Sequence, residues 1–347
     1  MKNEEFLGKQ LSFLPEVEQT RQPNEEAWKK SIPAQVFLNH YFGMHYHIQQ
    51  SGEAYALHHV PHFLEHNPVV TESVKEEIKK LLLNSWSTEY ALRTTAELGD
   101  EQYLRAALHW TFPQAYYSIL FGLRAFLATL GVTGNNSELI RREVSRLVVR
   151  GFYPQPLSYY ASGHYDTFTV HRLPLASYKP SLQLAAETIE AQAQIGQFLR
   201  TTRRLRAKGI RQQVQSNPKT ALRTKNGDIL EKFSSSHWQQ LTWRIGYTTY
   251  YDLLGRLRIS ANHREIERFV EAEIDFRLFH QCLLELVSYI NFVHESYIAK
   301  AIGLEAYQEM MDEMPAYVGK GFVKERLDSK IEPLLRQLYM PAPRLAA

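Results

Sequence analysis

The stretch DEQYLRAALHWTFPQAYYSILFGLRAFLATLG, Asp100 to Gly131, decides the fold class. Its apolar residues recur three and four positions apart, the period of a helix laid against a core. Asp100 can cap the first turn, and Gly131 supplies a C-terminal stop. Pro113 lacks a backbone donor, so the reading predicts two helices, Glu101–Thr111 and Gln114–Leu130.

The same period extends outward in both directions. Asn24 to Gln49 carries Trp28, Ile32, Val36, Phe37, His40 and Tyr41 at helical spacing, with Pro33 as a kink or a new start. Thr71 to Thr95 opens on TESVKEE, where Ser73 and Glu76 fit a capping box and Glu77 suits the positive helix pole. Ser137 to Arg150 is amphipathic and ends at Gly151. Further helices are expected from Ser181 to about Lys208, then at His237–Arg258, Ala261–Glu271, Ile274–Ile302, Glu305–Met311 and Lys320–Leu338. Between them, Phe152 to Pro180 is rich in proline, tyrosine and serine. It reads as an irregular connection with one short extended piece, DTFTVHRL (Asp166 to Leu173). The polar stretch Gln212 to Ser236 reads as mobile. The expected class is all-α with little or no sheet. Two packed helical domains are expected, residues 1–151 and 181–338, with the 152–180 connection between them and a tail at 339–347.

Composition narrows the function classes. The 347 residues are 44% hydrophobic and 22% charged, which excludes a disordered or collagen-like chain. The single cysteine, Cys282, permits no internal disulfide and points to a reducing, cytoplasmic setting. The opening MKNEEFLGKQLSFLPE has no apolar core for a secretory signal. The longest apolar run, Tyr116 to Val132, is broken by Arg124 and falls short of the ~20 residues of a membrane span. Phosphate-loop, dinucleotide, paired-cysteine and serine-hydrolase signatures are all absent, and no cofactor is called for.

The net charge of +3 hides an uneven distribution. No acidic residue occurs between Glu190 and Asp228, where Arg200, Arg203, Arg204, Arg206, Lys208 and Arg211 crowd together. A one-signed run repels itself unless an anion lies against it, so these residues are candidates for holding a nucleic-acid backbone. The ordinary alternative is a solvated helix end, where cations favour the negative pole. Tyr250 and Tyr251 stand about two turns before Arg258, so Tyr251 is a candidate to stack on a base. Phe121 and Phe126 read as core.

RISANH, Arg258 to His263, sits at a junction between helices, with Ser260 or Asn262 available as a cap. An arginine and a histidine meeting there can cleave RNA without a metal. The imidazole moves the 2′-hydroxyl proton and the guanidinium holds the developing phosphorane charge. Arg258, Asn262 and His263 are therefore the catalytic candidates. The structural alternative pairs Arg258 with Glu265 or Glu267. A second candidate, HFLEH (His62 to His66), lies in a histidine-dense stretch with His40, His45, His47, His58 and His59 and matches an inverted zinc-peptidase pattern. Pro61 and Pro68 leave it barely two turns, so no metal site is expected.

The segment YYDLLGRLRISANHREIERFV, Tyr250 to Val270, resembles a stretch in uncharacterised bacterial proteins of the HEPN superfamily. FPQAYYSILFGLRAFLATLGV, Phe112 to Val132, resembles the long central helix of the same superfamily. The resemblance implies HEPN-like helical bundles, usually dimeric. It also implies an endoribonuclease of toxin–antitoxin, phage-defence or CRISPR type, with an arginine followed four to six residues later by a histidine. Arg258 and His263 fit that spacing, although Ile259 stands where the family carries a polar residue. The stretch after Arg124, GVTGNNSE, has no histidine, so the first half reads as a degenerate copy. The expected partners are RNA or another nucleic acid, and a second copy or a protein encoded nearby. A non-catalytic helical module that binds nucleic acid or protein is the alternative.

Overall fold

A computed structural model of the chain describes residues 25–174, 183–261 and 268–339. Helices form the bulk of it: α1 (Glu25–Gln49), α2 (Pro61–Leu64), α3 (Glu72–Leu98), α4 (Glu101–Thr129), α5 (Ser137–Arg150) and α6 (Thr188–Ser216). They continue with α7 (Ser235–Ile245), α8 (Tyr250–Ser260), α9 (Phe276–Ile302), α10 (Leu304–Asp312), α11 (Ala316–Gly319) and α12 (Phe322–Arg326). A π-helical turn, Leu327–Ile331, then leads into α13 (Glu332–Tyr339). The fold is all-α. Among the described residues, no helix is long and apolar enough to cross a membrane.

The centre of the molecule is α9, in which every residue from Tyr289 to Ala299 is buried. A stretch buried around its whole circumference is enclosed by other elements, and α3, α4 and α1 pack against it. The approach is close where α4 meets α9. A Cβ added at Gly122 would stand 3.1 Å from Asn291 Oδ1 and 3.3 Å from Ser85 Oγ, so those side chains would have to shift by a few tenths of an ångström to admit it. The resulting core draws on Ala34 at one end and Leu335 at the other. Helices from both sides of the 152–180 connection thus share one core, to which Phe152, Tyr153, Leu157, Tyr159 and Leu173 of the connection also belong. A smaller cluster of Ala207, Ile210, Val214, Trp238, Leu241 and Ile245 joins α6 to α7.

Two prolines do not break their helices as the sequence suggested. Pro33 lies inside α1, and Pro113 lies inside α4. A proline in a helix interior costs about 3 kcal/mol. Phe112, Ile119, Leu123 and Phe126 on α4 are fully buried, each contributing about 1.5–3 kcal/mol, so packing outweighs the lost hydrogen bond. Asp100 caps α4 as expected, accepting from Tyr103 N at 2.7 Å. Ser73 does not cap α3. The helix begins one residue after Thr71, whose hydroxyl lies 3.1 Å from the Ser73 hydroxyl. Gly151 ends α5 with φ 89°, a left-handed conformation that suits glycine.

Among the described residues, three short strands lie beside the helices: β1 (Tyr160–Gly163), β2 (Phe168–His171) and β3 (Thr248–Thr249), antiparallel in the order β2-β1-β3. In the register, Ala161 faces Val170 on one side and Thr248 on the other. The extended piece within DTFTVHRL is therefore one arm of a hairpin. Gly246, at φ 65°, turns the chain between α7 and β3, so the helix expected to continue from His237 to Arg258 is interrupted there.

Candidate nucleic-acid interface

The cationic run on α6 divides by helical face. Arg203 shares the inner face with Ala207, Ile210 and Val214, and it is fully buried. Its Nη1 donates to Gly246 O at 2.8 Å, Thr248 Oγ1 at 3.0 Å and Ala161 O at 3.3 Å, and its Nη2 donates to Gly163 O. Burial pushes this guanidinium down to about 10, with Arg141 and Arg206 adding to the effect and Asp252 opposing it. It stays cationic at neutral pH, enclosed by carbonyls, and is unavailable to a phosphate. Arg206 donates to Ile245 O at 3.2 Å and pairs with Glu138 at 2.7 Å. Much of the local positive charge therefore stitches the small sheet to α5, α6 and α7.

The outer stripe of α6 carries Arg200, Arg204, Lys208 and Arg211. Arg204 pairs with Asp166, and Arg200 lies 6.0 Å from the Phe168 ring centroid. Arg200 and Lys208 are exposed and Arg211 is half-buried; none of the three forms an ion pair among the described residues. This stripe keeps the cations a backbone could meet.

Arg258 occupies the last turn of α8 and is exposed. Its guanidinium lies 5.6 Å from the centroid of the Tyr116 ring on α4, and it makes no ion pair among the described residues. Ser260 is buried within the last turn of α8 and does not cap a helix; Ala261 closes it. Asn262 and His263, the other two catalytic candidates, lie outside the described residues, as do Glu265 and Glu267. Tyr251 is buried, its hydroxyl 3.2 Å from the Tyr116 hydroxyl, and burial pushes its phenol up. It braces α8 against α4 and cannot stack a base. The aromatic surface near Arg258 belongs to α4. Tyr117 is 40% exposed, and its ring lies 5.4 Å from that of Tyr116. Phe126 is core, but Phe121 is only half-buried.

HFLEH does not form a zinc-binding helical face. Its helix ends at Leu64, so His62 and His66 do not share consecutive turns. His62 stacks on Phe152 at 4.3 Å, and His66 is buried against Tyr297. Among the described residues, no three His, Cys, Asp or Glu side chains gather as a metal requires.

A buried ionic centre escaped the sequence reading. Arg326 bridges Glu89 of α3 and Glu295 of α9, and all three are buried. Glu295 also accepts from Trp86 Nε1 and Tyr307 Oη, each at 3.0 Å, while Asn291 donates to Glu89 at 2.8 Å. Burial favours the neutral form of both carboxyls. Arg326 and Arg93 together overcome this at Glu89 and hold it below the usual range, whereas Glu295 stays raised by burial and by repulsion from Glu89 despite Arg326. Clefts of about 910 and 570 Å³ lie over this centre and share Arg93; neither is lined by Arg258. Acidic residues in apolar helices (Glu89 three residues after Trp86, Glu295 beside His294) were the available signal. Arg326, Glu89, Glu295 and Asn291 tie three helices together, with Arg326 Nε and Asn291 Oδ1 left unbonded, and this bridging makes the centre a structural clamp. Comparison of the chain with protein-family models, curated proteins and solved structures finds no match, so its functional reading rests on these side chains.

Proposed function

We propose that the protein is a cytoplasmic RNA-targeting effector of HEPN-like type that cleaves RNA without a metal and acts as a homodimer or with a protein partner. Arg258 holds the scissile phosphate, and Asn262 and His263 complete the site. In this chemistry the 2′-oxygen attacks the adjacent phosphorus. The imidazole takes the 2′-hydroxyl proton, the bond to the 5′-oxygen breaks, and the imidazolium returns a proton to that oxygen. The guanidinium neutralises the charge that develops on the phosphorane oxygens.

One observation supports this reading best. Arg258 is exposed at the end of α8 with an aromatic ring beneath it and no ion pair among the described residues, while Arg203, Arg204 and Arg206 of the cationic run are all engaged. The non-catalytic reading, a helical module that binds nucleic acid or protein, draws on the same ring contact and on the preference of a helix C-terminus for cations. Substituting Arg258 by alanine separates the two. The catalytic reading expects RNA cleavage to fall at least about 100-fold with the melting temperature nearly unchanged, because an exposed cation–π contact is worth only about 0.5–1 kcal/mol. Unchanged cleavage in Arg258→Ala, or no RNA cleavage by the wild-type chain, would remove it.

A further inference from the structure

We propose that the outward edge of α4 is a stacking platform for unpaired bases, so that the RNA taken by this protein is single-stranded; this rests on the RNA-targeting reading above. Tyr103, Trp110 and Tyr117 recur every seven residues, and Phe121 and Arg124 continue the row. Seven residues turn an α-helix through nearly two full turns and advance it about 10.5 Å, so these side chains line one edge. Tyr103 is 47% exposed and Tyr117 40%, with Trp110 and Phe121 half-buried beside them. The rings already sit as neighbouring platforms. Tyr103 and Trp110 have centroids 5.7 Å apart, and Tyr117 and Phe121 stack at 6.2 Å.

A lone exposed aromatic needs no explanation, but a row along a helix otherwise committed to the core does. Charge identifies the occupant. From Gln102 through Ser137 the chain has no acidic residue, and Arg124 forms no ion pair among the described residues. The row also leads to the phosphate-holding cation, because Tyr117 abuts Tyr116, whose ring lies under Arg258. Aromatic faces beside cations suit a strand whose bases are unstacked and whose backbone is anionic. A duplex hides its base faces and offers them nothing.

The test is fluorescence anisotropy with a labelled oligoadenylate and with an RNA duplex of equal length, in a His263→Ala background that keeps the RNA intact. Trp110→Ala and Tyr117→Ala should each weaken oligoadenylate binding about tenfold or more without changing its salt dependence, and Tyr117→Phe should bind like the parent. Arg258→Ala should instead reduce the salt slope by about one. Parent-like binding by both alanine variants, with Arg258→Ala still weakened, overturns the platform and leaves the RNA reading standing. Equal losses on the duplex overturn the single-strand claim. No RNA binding by any form ends both readings. A parent dimer that dissociates on Tyr117→Ala gives this edge to a second copy and overturns the proposal.

Discussion

Arg203 donates to the carbonyl of Gly246 at 2.8 Å, tying the middle of α6 to the turn that separates α7 from α8. Removing that side chain takes a donor from the carbonyls of Ala161, which is buried, of Gly246, which is half-buried, and of Gly163, which water can reach. An orphaned buried acceptor costs about 1–3 kcal/mol, so Arg203→Ala should destabilise the protein by at least about 1 kcal/mol in urea unfolding. Arg200→Ala and Lys208→Ala, on the outer stripe, should unfold like the wild type and lower the salt dependence of RNA binding instead. Indistinguishable stability for Arg203→Ala would contradict the division of the run by face.

Arg326 should behave as a clamp. Arg326→Ala leaves Glu89 and Glu295 buried together without the guanidinium between them, and a loss of about 3–5 kcal/mol in denaturant titration is expected. A loss below about 1 kcal/mol would show that the centre relaxes by admitting water.

Buried histidines set an acid limit on stability. Burial pushes His294 down to about 3, and burial assisted by Arg256 does the same to His40. Burial with Lys300 nearby takes His66 to about 4. The unfolded chain binds these protons near pH 6.5 and the folded chain far below it. Their contribution is therefore complete above about pH 6.5 and is lost as the pH falls from there toward 4 and 3. Melting temperatures measured between pH 7.5 and 5 should drop. His40→Phe should flatten the drop, since His40 lies stacked on Phe198 at 4.5 Å with its Nδ1 unbonded. Parallel curves for the two proteins would contradict this.

Pro113 offers the opposite effect. Packing holds α4 continuous through it, so Pro113→Ala restores a donor within an intact helix and should raise stability by about 1–3 kcal/mol. A fall in melting temperature would mean that the ring itself fills a necessary space.

The all-α class, the Asp100 cap and the Gly151 stop were legible because they depend on local spacing and backbone preference. The continuity of α4 through Pro113 was not, because distant partners of Phe112 and Phe126 supply the energy that overrides the local rule. The cationic run was visible as charge, but which arginines turn inward depends on strands brought back from Ala161 and Thr248. For the same reason Tyr251 read as a base contact and proved to be a brace against Tyr116. Arg326, remote in sequence from Glu89, gave no local sign of its pairing.

The most direct measurement of the central claim is the fate of end-labelled single-stranded RNA in EDTA, with wild-type protein and His263→Ala run side by side. The account predicts fragments ending in 2′,3′-cyclic phosphate from the wild type and intact RNA from the folded variant. Intact RNA with the wild type, or the same fragments from His263→Ala, would contradict it.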